Sequence, residues 1–162
     1  MFMNEKQIAN YIAANETIKK DLLKKSRYCK GKNVKMGLDE FIAHKDIAND
    51  HPETTFYLYT KNVDTIGPYI LEHANKFPHN LIINISIWNE QNIEWFKRLQ
   101  HLPFIKAFVV ITGYDYSKSG IEIQTKCNAY NGKKLNKNIT CYKCKKCFDK
   151  NKNHKIIGCD EH

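Results

Sequence analysis

From Asn4 to about Ser26 the apolar positions Ile8, Tyr11, Ile12, Ile18, Leu22 and Leu23 recur near helical spacing. Lys19, Lys20, Lys24 and Lys25 cluster at the C-terminal end of this stretch, where a helix dipole favours cations. The pattern predicts a helix. Residues 27–36 carry Gly31 and several charges and read as a loop. A second, shorter helix is expected to begin near Gly37, with Leu38, Phe41, Ile42 and Ile47 as its apolar positions. His51-Pro52 closes it, because proline disfavours a helical residue before it.

The pattern then changes to a repeat. Residues 55–60 (TFYLYT) are rich in strand formers. Residues 63–76 read as a helix, with Pro68 near its first turns. Residues 81–87 (LIINISI) read as a second strand, 89–101 as a helix with Ile93, Phe96 and Leu99 on one face, and 104–111 (FIKAFVVI) as a third strand. Strand, helix, strand, helix, strand with short links predicts βαβ units and a small parallel sheet, hence an α/β fold. Near-continuous apolar strands fit a sheet covered on both faces. Residues 120–125 are expected to add a fourth strand, with Ile121 and Ile123 alternating, and the end of the chain from His154 reads as a short strand followed by a possible ligand pair. The expected organisation is an α/β domain with N-terminal helices over 1–120 and a Cys-rich module over 121–162 packed on it.

The chain has 162 residues, 42% of them apolar, which suffices for a core and excludes wholesale disorder. Its longest apolar stretches, such as Ala107 to Ile111, are too short to span a bilayer, and no membrane partner is expected. Met1-Phe2-Met3-Asn4-Glu5-Lys6 lacks the pattern of a secretory signal, so a cytoplasmic location is expected. In that compartment six cysteines read as thiols or metal ligands rather than as a disulfide framework.

Four of them carry the strongest signal. Cys127, Cys141, Cys144 and Cys147 form C-x13-C-x2-C-x2-C, and lysines at 143, 145 and 146 favour the thiolates that bind metal. A zinc ion takes two donors readily from one C-x2-C knuckle, but a third from the same run is crowded. A [4Fe–4S] cubane spreads its ligands over separate irons, so this spacing places the cluster slightly ahead of zinc. Cys159 and His162 are alternative ligands, and Cys29 reads as a structural thiol. From Cys127 to His162 nine lysines face three acids, so this tail carries +6 of the net +9. Lys133, Lys134, Lys143, Lys145 and Lys146, interleaved with Tyr130, Tyr142 and Phe148, suit nucleic acid or a host nucleoprotein complex. At the C-terminal ends of the predicted strands, Lys61, Ser86 and Tyr114 are candidates to line a pocket.

Phe56 to Lys61 (FYLYTK), the strand ending Asn84-Ile85-Ser86, and the terminal C-x2-C-x2-C-Phe with a final His together resemble the phage gene product 88 family. The resemblance runs from residue 38 to the end. It implies a partial (β/α) barrel similar to radical-SAM enzymes, with a C-terminal cysteine module. Carried onto this chain, it implies Cys127, Cys141, Cys144 and Cys147 as ligands and Lys61 and Ser86 as rim residues. The C-x3-C-x2-C motif of a radical-SAM enzyme is missing, so the chain looks like a shortened relative without the catalytic part. There is also no Ser-His-Asp order, paired-carboxylate motif or glycine-rich phosphate loop. The leading expectation is therefore a phage-type, metal-containing binding protein with a basic surface, an anti-defence role fitting its size and charge. The alternative is an iron–sulfur redox protein or a degenerate radical-SAM-like accessory.

Overall fold

The computed structural model describes residues 37–111, 115–116, 118–128, 130–131, 134–135, 139, 141–149 and 153–159. The helix expected over 4–26, and Cys29, lie outside the described residues. Helix α1 spans Leu38–Asp50. The repeat follows as β1 (Phe56–Thr60), α2 (Val63–Glu72), β2 (Leu81–Ile87), α3 (Glu90–Leu99) and β3 (Ile105–Val110). Then come β4 (Thr125–Lys126), a small hairpin of β5 (Tyr130–Asn131) and β6 (Lys134–Leu135), a single helical turn α4 (Cys141–Cys144), and β7 (Ile156–Cys159). The fold is α/β, as the alternating pattern predicts.

Five strands form one parallel sheet in the order β1-β2-β3-β7-β4. β1, β2 and β3 are consecutive neighbours, as the short links require. The expected strand over 120–125 is only partly formed: 121–124 are irregular and pairing begins at Thr125. Ile121 and Ile123 serve instead as cover for the sheet. A Cβ built on Gly158 would lie 2.8 Å from Ile123 Cγ2 and 2.7 Å from Ile111 Cδ1, so only glycine lets this segment approach β7 so closely.

The strand order contains a reversal. The chain steps forward through β1, β2 and β3, jumps to the edge strand β4, and returns one place to β7. Right-handed crossovers put forward connections on one face and a returning connection on the other. The two faces differ accordingly. On the helix face, Leu58, Ile83, Ile85, Ile87, Ile105, Ala107 and Val109 are all buried with Val63, Ile66, Ile70, Ile93, Phe96 and Leu99 from α2 and α3. On the opposite face, Tyr57, Tyr59, Ser86, Phe108 and Val110 are only half-buried. Residues 146–149 of the returning connection between β4 and β7 lie on this second face.

Local clamps fix the layers. The Asn80 side-chain amide donates at 2.8–2.9 Å to the carbonyls of Ala48 and His51, orphaned at the end of α1, and to that of Thr54 in the loop that follows. Lys155 Nζ donates to Gln100 O and Leu102 O just beyond α3, and burial lowers its pKa. Asn89 caps α3 by accepting from the Asn92 N–H at 2.9 Å.

Gly67 marks the tightest contact between α2 and α3. A Cβ there would lie 2.5 Å from the Trp95 ring, whose position is also fixed by Arg98 at 4.2 Å from the ring centroid. Alanine gains about 1 kcal/mol in helix propensity. Overpacking costs about 1–3 kcal/mol, and we expect it to win. Gly67→Ala should lower the denaturation midpoint, and a raised midpoint would show that Trp95 swings aside freely.

Candidate metal centre and basic face

Two buried polar side chains in otherwise apolar strands fasten the cysteine segment. Asn84 and Lys106 are register partners on β2 and β3, so they point to the same face. The Asn84 amide donates to Cys147 O at 3.2 Å. Lys106 is 3% exposed, and its ammonium donates to Lys146 O at 3.2 Å and Asp149 O at 2.9 Å. Phe148 stacks on Tyr57 of β1, with centroids 4.5 Å apart and planes 13° apart. Tyr59 and Phe108 continue the aromatic layer, edge to face at 5.2 Å. Phe148, expected among the base-stacking aromatics, is thus packed on the sheet.

The segment is also tied to the β4 end. Lys146 Nζ donates to Lys126 O at 2.8 Å and to Asn128 Oδ1 at 2.9 Å, on either side of Cys127. The Cys127 N–H donates to Gly158 O at 2.7 Å, which sets Cys127 alongside Cys159. Cysteines far apart in sequence are thereby carried by neighbouring elements. Cys147 and Cys159 are buried, and Cys127 and Cys144 half-buried. The side chain of Cys141 lies outside the described residues. Among the described residues, no group of three or more His, Cys, Asp or Glu side chains is gathered to hold a metal ion. The donor chemistry still fits one: thiolates are soft ligands for zinc or iron, and the flanking lysines offset their charge.

The lysines divide by role. Lys143 and Lys145 are exposed on the outside of the segment, whereas Lys146 is spent on the tether to residues 126–128. Lys145 has φ 57, the left-handed region that costs a side chain about 1–2 kcal/mol. Its carbonyl accepts from the N–H groups of Phe148 and Asp149, closing the turn after Cys144. Lys133 lies outside the described residues, as does the side chain of Lys134.

At the rim, Lys61 follows directly on β1, whose last register pair is Thr60 with Ile85, the residue before Ser86. Lys61 Nζ lies 5.4 Å from the centroid of Trp88, which is 55% exposed. The Asn92 amide holds the Lys61 carbonyl at 3.1 Å. Tyr114, the third expected rim residue, lies outside the described residues.

Sequence reading gives no anchoring role to Asn84 or Lys106. Both carry a visible signal: a single amide or ammonium inside Ile83-Asn84-Ile85 or Ile105-Lys106-Ala107 is anomalous in a strand covered on both faces.

Fold and site together define an α/β domain with helices on one sheet face and a cysteine-bearing, lysine-rich return segment on the other. The Gene product 88 family profile matches residues 38–150, which takes in both the βα repeat and the C-x2-C-x2-C run. The chain belongs to that family. No curated protein and no solved structure matches it. No described helix is long and apolar enough to cross a membrane.

Proposed function

We propose that this chain is a phage-type, metal-containing binding protein that presents a basic surface to nucleic acid, free or within a host nucleoprotein complex. A zinc ion or a [4Fe–4S] cluster held by cysteines of Cys127, Cys141, Cys144 and Cys147 orders the return segment. The observation that carries the reading is the pinned segment itself. Its inner side is anchored by Asn84, Lys106 and Phe148, and its outer side presents Lys143 and Lys145. A polar tail has little apolar surface to bury, so coordination supplies the order that hydrophobic packing does not. A lysine kept at a left-handed position better suited to glycine supports a use for its charge.

The test is salt dependence. Each phosphate contact contributes about 0.9 to the slope of log K against log salt on duplex DNA. Lys143→Gln with Lys145→Gln should flatten that slope by about 1.8 and weaken binding at every sequence tried. Lys19→Gln with Lys20→Gln should change neither. Salt-insensitive binding, or no binding to DNA, RNA or nucleoprotein, would remove the proposal.

A further inference from the structure

We propose that Trp88 and Lys61 form a docking site for an unpaired nucleotide of a single-stranded nucleic acid, the base stacking on the indole and its phosphate taking the ammonium. The inference rests on the nucleic-acid reading above and adds its substrate class. Trp88 is 55% exposed, the one large apolar side chain left open to solvent among the described residues. A lone exposed apolar side chain is ordinary. Its partner, its place and its support set this one apart.

The partner is Lys61, also exposed, whose Nζ lies 5.4 Å from the indole centroid, within cation–π range. An aromatic face and a cation are thus presented together. A nucleotide carries the complement of both, a π-face in its base and a negative charge in its phosphate. Duplex DNA keeps its base faces inside the stack, whereas an unpaired base offers its face to an aromatic side chain whatever its identity.

The place is the rim of the sheet. Lys61 follows directly on β1 and Trp88 directly on β2, and these strands are parallel neighbours. Both residues stand at carboxyl ends, where parallel α/β sheets bind their ligands. The support is local. Asn92, 3% exposed, donates its amide to Lys61 O at 3.1 Å, and Thr60 Oγ1 accepts from the Asn62 N–H at 3.1 Å. Asn89, next to Trp88, caps α3. Backbone already fixed in this way loses little freedom when a ligand docks.

The acids of the rim direct the phosphate. Asp64 and Glu90 occupy the first turns of α2 and α3 and are exposed. Their charge turns an anion away from the two helix N-termini and leaves it to the ammonium beside the ring. The net charge of +9 supplies attraction at longer range.

The experiment titrates the full chain with oligothymidylate, oligouridylate, thymidine monophosphate and a dA·dT duplex, following tryptophan fluorescence and affinity across salt. Trp95, the other tryptophan, is half-buried between Gly67 and Arg98 and gives a steady background. Both single strands should quench the wild type, and the quenched part should be absent from Trp88→Ala. Trp88→Ala should weaken single-strand binding by about 5- to 150-fold, far more than duplex binding, at an unchanged salt slope. Trp88→Phe should restore most of that loss, and Lys61→Gln should lower the single-strand slope by about 0.7. Wild-type single-strand affinity in Trp88→Ala, an equal loss on the duplex, or no rescue by Trp88→Phe would overturn the assignment. The monophosphate binding as tightly as the oligomers would make a free nucleotide the ligand and overturn it too. A wild type that binds both forms without quenching overturns this inference alone, and one that binds neither removes the nucleic-acid reading beneath it.

Discussion

Replacing Cys144 with serine should release the metal and expose residues 141–149 to amide exchange, while β1, β2 and β3 keep their protection. Structural zinc sites contribute about 10–16 kcal/mol of binding free energy in zinc-finger peptides at neutral pH. Shared over four thiolates, one lost ligand corresponds to a fall in affinity of about 100- to 1,000-fold. The sheet survives because its core lies on the other face, in Ile83, Ile85, Ile105, Val109, Ile66 and Phe96, none of which touches the cysteine chemistry. β7 should respond less than the segment before it. It is paired with β3 over four residues and keeps that ladder without the metal. Cys29→Ser should change neither metal content nor exchange. Metal retained in full by Cys144→Ser, or collapse of the whole sheet, would contradict this account.

Lys106→Met should cost about 2 kcal/mol and loosen the cysteine segment specifically. The ammonium makes two hydrogen bonds to backbone carbonyls, and bonds to charged groups are worth about 1.5–3 kcal/mol each. One opposing term reduces the sum. Burying the charge is itself unfavourable, and methionine removes that cost while keeping most of the volume. The carbonyls of Lys146 and Asp149 then lose their donor, which is the decisive loss because a carbonyl left unsatisfied costs about 1–3 kcal/mol. Denaturant midpoints and site-resolved exchange check the expectation. A neutral or stabilising Lys106→Met would show that desolvation outweighs the anchor. Asn84→Leu should act in the same direction and more weakly, since it removes only neutral bonds, one to Cys147 O and a longer one to Leu58 O.

The βα repeat could be read from the chain because each element states itself locally. Leu81–Ile87 has no polar break but Asn84 and Ser86, and Glu90–Leu99 repeats its apolar positions at helical spacing. The short strand at the end of the chain is also legible locally, and the structure has it at Ile156–Cys159. Its partners were not visible. Nothing in Ile156-Ile157-Gly158-Cys159 says that it inserts between β3 and β4, because that pairing depends on residues more than 30 positions away. The same non-locality hid the reversal of strand order, and with it the face on which the cysteines fall. Residues 121–124 misled for a related reason: Ile123 covers Gly158, and of the four only Gln124 is tied to β7 by its backbone, its N–H donating to Ile156 O at 3.1 Å. Within the cysteine tail, spacing supplied the residues with affinity for metal, and lysine count supplied the charge. Neither separated Lys146, which ties the segment to residues 126–128, from Lys143 and Lys145, which face outward.

The most direct test of the central claim is metal analysis of the full wild-type chain purified without oxygen and without added metal. The account predicts one thiolate-bound centre per chain, either one zinc ion or one four-iron cluster, removed by a chelator or by Cys144→Ser. Removal should abolish protection of residues 141–149 and weaken nucleic-acid binding, leaving β1–β3 folded. A chain that carries neither metal, yet shows the same protection over 141–149 and the same binding, would contradict it.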